Sequence, residues 1–130
     1  MSHDRRRQVM QRLMDKESRD YFVEDHIDEG VAFQIRATRE ARGWTQQELG
    51  RRAGRMAPER VSQVEDPNYG RLTLRTLKRI ASALDVALIV RLAPYSELVD
   101  WTNAVQMAVP SFGEDAVVLR DISREQAVKG

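Results

Sequence analysis

The side chains able to do chemistry in this chain are cationic and amidic rather than nucleophilic. Lysine and arginine number 21 against 20 aspartates and glutamates, but the two signs are unevenly spread. Residues 31–92 hold twelve basic and six acidic side chains, a surplus of +6, while residues 1–30 sum to −2 and residues 93–130 to −3. A basic middle between acidic flanks suits a module that meets phosphates; the bland alternative is a solvated surface with chance clustering. No arrangement for covalent or metal chemistry stands out in the sequence. There is no cysteine, which excludes disulfides and thiolate metal sites. His3 and His26 are isolated, with no companion at metal-ligand spacing, and read as structural or solvent-facing. No glycine-rich phosphate loop or nucleophile arrangement occurs. The expectation is therefore a protein that is not an enzyme, with no catalytic residues, no metal and no cofactor.

At 130 residues, 42% hydrophobic and 32% charged, the chain fits one globular domain with extensions. No apolar run approaches the ~20 residues that span a bilayer. After Arg5, Arg6 and Arg7 the stretch to residue 16 mixes polar residues with Val9, Met10, Leu13 and Met14, unlike the unbroken apolar region of a signal peptide. A cytoplasmic protein without membrane contact is expected.

Helix and turn signals supply the elements that must position these groups. Val9, Met10, Leu13 and Met14 recur at spacings of three and four and predict a helix over residues 5–14. A second follows over residues 18–27, with Gly30 either breaking or bending it. A third, over residues 31–42, stops at Gly43, a residue suited to the left-handed conformation that closes a helix. Thr45 and Glu48 stand as an N-cap and N3 pair, and Trp44 and Leu49 as a hydrophobic staple, predicting a helix over residues 46–53 that ends at Gly54. Pro58 suits the first turn of another helix, reaching residue 65. Residues 66–70 make a turn-rich loop. Thr73 then caps a helix whose buried face is Leu74, Leu77, Ile80, Ala81 and Leu84. Residues 86–92 form a β-prone run stopped by Pro94, residues 96–105 a further helix, and the rest a flexible or partner-dependent tail. Trp44 and Trp101 read as packing residues.

Two short helices joined by a tight turn form the unit that lays its second helix in the DNA major groove. Here the sequence resembles a specific family. Residues 34–50, QIRATREARGWTQQELG, are similar to the opening of a Cro/XRE-type, phage-repressor-like helix-turn-helix domain. Residues 61–65, VSQVE, and 74–84, LRTLKRIASAL, resemble its recognition helix and closing helix, so the likeness covers about half the chain. It implies a mainly all-α, lambda-repressor-like helix-turn-helix bundle, to which the patterns outside the motif add N-terminal helices and a short C-terminal β-strand used in dimerisation.

The resemblance also implies roles. Gln46 matches a glutamine that contacts the DNA backbone and braces the recognition helix. Glu59, Arg60 and Gln63 match positions facing base edges, where Gln pairs with adenine, Arg with guanine and Glu with cytosine. Gln47 completes the amide set at the start of the first motif helix; outside the motif, these glutamines would read as ordinary solvent-facing residues. Arg39 and Glu65 match a partly buried, positional ion pair. Arg55 and Arg71, in loops beside the recognition helix, are the better phosphate candidates, and Asn68 and Tyr69 either join them or simply build the turn. Three features depart from the family pattern. The step from Gly54 to Ser62 is eight where seven is usual, placing one extra residue among Arg55, Met56 and Ala57; Gly50 replaces an alanine; Thr38 replaces an aliphatic residue. The glycine lowers helix propensity by roughly 1 kcal/mol.

The organisation expected is a helical N-terminal extension (1–30), the helix-turn-helix domain (31–85), a dimerising strand (86–93) and an acidic helix and tail (94–130). Val86, Leu88, Ile89, Val90 and Leu92 would pair with the same strand of a second copy, because a lone strand cannot satisfy its own backbone. Pairing with the weak run at residues 117–119 is the rival. The function expected is a dimeric autorepressor on a palindrome of double-stranded DNA. The alternative is a HigA-like antitoxin, whose acidic residues 15–29, seven acids against Lys16 and Arg19, would meet a basic ribonuclease toxin.

Overall fold

The computed structural model describes residues 2–104, which form six helices: α1 (Ser2–Arg12), α2 (Lys16–Ala41), α3 (Gln46–Arg52), α4 (Pro58–Val64), α5 (Leu74–Leu84) and α6 (Tyr95–Ala104). Most starts have a local cause. The Asp15 carboxylate accepts from the Ser18 N–H at 3.1 Å ahead of α2, Thr45 from the Glu48 N–H at 3.1 Å ahead of α3, and Thr73 from the Thr76 N–H at 3.2 Å ahead of α5. Each satisfies an amide that a first helical turn leaves unpaired. α4 starts without such a cap, on Ala57 followed by Pro58, whose fixed φ is already helical. α2 closes through Gly43 at φ +72°: its N–H reaches the Glu40 carbonyl at 2.9 Å and the Trp44 N–H reaches that of Arg39 at 3.2 Å, the pairing of a glycine-terminated helix.

The two helices expected over residues 18–27 and 31–42 are a single helix of 26 residues. Gly30 neither ends it nor needs to, since one glycine weakens a helix by about 1 kcal/mol and the ladder continues on both sides. What changes near Gly30 is the packing partner. The first half of α2 lies beside α1, and the second half carries Ile35 against α5 and the core. The boundary drawn between residues 30 and 31 thus falls inside α2.

The core gathers Ile35 of α2, Leu49, Ala53 and Met56 from α3 and the turn after it, Val61 and Val64 of α4, and Ile80 and Leu84 of α5. Leu49, Val61, Val64 and Ile80 are fully buried, each worth roughly 1.5–3 kcal/mol of transfer free energy. On α5 the inward row is Thr76, Ile80 and Leu84 with Leu77 partly buried; Leu74, expected on that face, is exposed because it directly follows the Thr73 cap, a turn short of the core.

α6 folds back onto α1, a pairing that no sequence pattern announced. Val9 and Val99 are buried, Arg6 pairs with Asp100, and the Arg19 guanidinium lies 5.6 Å from the Tyr95 ring centroid. Trp101, read as a packing residue, is more than half exposed. Between α5 and α6 the chain leaves through Asp85, left-handed at φ 57°, and runs on without helix; no paired strand occurs among the described residues. Ile89 is 83% and Leu92 102% exposed, so the apolar run lies open on this single chain. The run at residues 117–119 and the tail lie outside the described residues. No described helix is long and apolar enough to cross a membrane.

Candidate nucleic-acid interface

The turn between α3 and α4 decides how the two helices sit. Gly54 and Arg55 are both left-handed, at φ 80° and 63°, so the extra residue of this turn is accommodated by a non-glycine in a conformation that costs roughly 1–2 kcal/mol. The Met56 N–H then turns back to the Gly50 carbonyl at 2.8 Å. A Cβ built on Gly50 would stand 2.1 Å from the Met56 carbonyl oxygen and 3.4 Å from Val61 Cγ2. Gly50 is therefore a requirement of this longer turn, not merely a weak helix former. Arg79 of α5 secures the same corner, its Nη2 donating to the Ala53 carbonyl at 2.8 Å and the Gly54 carbonyl at 3.3 Å.

The far end of α4 is tied to α2. Arg39 Nε donates to Glu65 Oε2 at 2.7 Å and Nη2 to Oε1 at 2.9 Å, while Nη1 donates to the Trp44 carbonyl at 2.7 Å. The side chains are only 12% and 4% exposed. Hydrogen bonding to Glu65 raises the Arg39 pKa. The pair's worth is geometric, because desolvation offsets much of a buried pair's attraction. Gln46 leans on the same carboxylate, its Nε2 3.4 Å from Glu65 Oε1.

On α4, Glu59 and Gln63 are exposed one turn apart, as is Gln47 on α3. Arg60, matched to the same set of base-facing positions, is held by neighbouring side chains. It is half-buried, and its Nη1 donates to the Tyr69 hydroxyl at 2.7 Å and to Gln63 Oε1 at 3.2 Å, its Nη2 to Thr76 Oγ1 at 3.3 Å. Arg60, Gln63 and Tyr69 are thus one assembly joining α4, the following loop and α5. In that loop the Asn68 N–H donates to the Asp66 carboxylate at 2.9 Å, so Asn68 at least builds the turn.

Most of the basic side chains of residues 31–92 have partners within the chain. Arg51 and Arg52 both grip Glu48 at 2.7 Å, and their hydrogen bonds hold its carboxyl down to about 2; Arg36 pairs with Glu40 at 3.0 Å. Arg55, Arg71, Arg75 and Lys78 are exposed without an ion-pair partner among the described residues. Sequence does not separate Arg75 and Lys78 from Arg79, since α5 holds no carboxylate for any of them; what distinguishes Arg79 is its reach to the Ala53 and Gly54 carbonyls.

A helix-turn-helix family model matches residues 35–90, from the second half of α2 through α5 into the exposed run. No curated protein and no solved structure matches the chain significantly. The family match spans under half of the chain and supports residues 35–90 as a helix-turn-helix domain of the Cro/C1 type, a DNA-binding regulatory family.

Proposed function

We propose that this chain is a cytoplasmic, dimeric repressor that binds a palindromic operator. The observation that carries the reading is the exposed run Leu88, Ile89, Val90 and Leu92, an apolar segment beside the reading domain whose backbone has no strand partner among the described residues. An antiparallel pairing of this run with its copy across a two-fold axis would satisfy both backbones and cover both apolar rows. It would also fix two α4 helices in the relation that two half-sites, about one helical turn or ~34 Å apart, demand. Gln47, Glu59 and Gln63 would then face the DNA, with Gln46 behind them, and Arg55, Arg71, Arg75 and Lys78 would meet phosphates together with Asn68 and Tyr69. The test is sedimentation and operator binding of Ile89→Pro, which removes a ladder donor. Loss of the dimer with loss of operator affinity is expected; a variant that stays dimeric and keeps full affinity overturns the strand-mediated dimer.

A second reading has one observation in its favour. Glu17, Asp20, Glu24 and Asp28 recur at helical spacing along the half of α2 outside the reading domain, an acidic row suited to a basic protein such as a toxin. A neighbouring gene whose product arrests growth unless this chain is co-expressed would favour that antitoxin role.

A further inference from the structure

Resting on the reading of α4 as the helix that faces base edges, we propose that Arg60 touches no base but determines which base Gln63 reads, by turning the Gln63 amide into a pure donor that selects guanine over adenine. A guanidinium has five N–H groups and no acceptor. Arg60 Nη1 can therefore only meet the oxygen of the Gln63 amide, 3.2 Å away, and the NH₂ is then the end left to face the groove. The guanidinium itself is anchored. Its Nη2 donates to Thr76 Oγ1, and Thr76 is buried and held in turn by the Thr73 hydroxyl at 3.1 Å; the Tyr69 ring lies 5.6 Å from the guanidinium carbon.

A glutamine with both ends available reads adenine, its NH₂ giving to N7 and its oxygen taking from the N6 amine. With Oε1 turned back onto Arg60, two donors face the groove. Guanine answers them with N7 and O6, two acceptors, whereas adenine sets its N6 donor against a donor. Tyr69 is polarised in the same way. Its hydroxyl accepts from Arg60 at 2.7 Å, so its own proton remains to be given outward, to a phosphate oxygen. One half-buried arginine thus commits two bifunctional groups to donate.

The experiment selects binding sites from randomised duplex DNA with the full chain and with Arg60→Met, Arg60→Lys, Gln63→Ala and Tyr69→Phe, each checked for folding by its thermal transition. The wild-type chain should enrich a G·C pair at one position of each half-site, about tenfold over A·T, and Gln63→Ala should erase the preference at that position alone. Arg60→Met, which frees Oε1, should move that position to A·T by a similar factor. Arg60→Lys, which still only donates, should keep G·C. Tyr69→Phe should weaken binding to all sequences without altering the profile. The proposal is overturned if the Gln63-dependent position is A·T in the wild type, an outcome that needs no Arg60 variant, or if folded Arg60→Met leaves G·C in place. A chain that enriches no sequence at all overturns the reading of α4 itself and is distinguishable from both.

Discussion

Replacing Gly50 with alanine sets helix propensity against packing, and the structure says which wins. Alanine in a helix interior is favoured over glycine by about 1 kcal/mol. At Gly50 the new Cβ would stand 2.1 Å from the Met56 carbonyl oxygen, a backbone atom that cannot rotate away. The turn would have to retreat by roughly 1 Å, straining the 2.8 Å hydrogen bond from the Met56 N–H to Gly50. Overpacking of this kind costs about 1–3 kcal/mol, and a lost hydrogen bond about 1 kcal/mol more. Set against the propensity gain, the variant should be about 1–3 kcal/mol less stable than wild type. Gly30→Ala is the control, because its Cβ would meet only Gln34 Nε2, at an ordinary 3.9 Å; it should be about 1 kcal/mol more stable. Urea unfolding followed by circular dichroism reads both as midpoint shifts of opposite sign at an unchanged slope. A Gly50→Ala chain as stable as Gly30→Ala would refute the argument. If the extra turn residue is what presses Met56 onto α3, deleting Arg55 together with Gly50→Ala should cost less than the two changes added.

Other outcomes follow from single contacts. Arg39→Ala leaves the Glu65 carboxylate buried and unpaired, and should cost about 3 kcal/mol in the same unfolding assay; a cost below 1 kcal/mol would show that α4 is not held through this pair. Ala57→Ser adds the hydroxyl that the uncapped start of α4 lacks, at a φ of −61° and ψ of 145° already suited to capping, and should stabilise the chain by about 0.5–1 kcal/mol in a thermal melt. His26 is held below its usual value near 6.5 chiefly by burial, so the unfolded chain takes up a proton before the folded one does. Stability should therefore fall as pH drops below about 6.5, and the fall should be smaller in His26→Gln when urea midpoints at pH 5.5 and 7.5 are compared.

The reading domain was legible because its signals are local. Thr45 with Glu48, Thr73, Gly43 and Pro58 act within four residues of themselves, and backbone geometry makes each nearly unambiguous. The continuity of α2 was not legible, because Gly30 carries the same signal whether a helix stops there or merely changes partners. The necessity of Gly50 was hidden too, since the atom that excludes a side chain belongs to the backbone of Met56. The contacts of Arg60 were hidden for a third reason. Its type and place on α4 suit guanine, but its commitment depends on Tyr69 and Thr76, nine and sixteen residues away. Charge counting likewise could not show that Glu48 occupies two arginines while Arg75 and Lys78 remain unoccupied.

The docking of α6 on α1 joins residues 94 positions apart, and this sets an order of events during synthesis. At about 5–20 residues per second, the ribosome delivers Asp100 roughly five to twenty seconds after Arg6. Throughout that interval α1, with Val9 on it, has no α6 beside it, while the core from Ile35 to Leu84 is synthesised complete. A nascent chain stalled once α5 has left the ribosomal exit tunnel, with α6 still inside it, should thus already hold a formed reading domain behind an α1 still bare on its inner side. That bare side is where a chaperone or a second nascent chain would first find a hold, and it is covered only once α6 arrives.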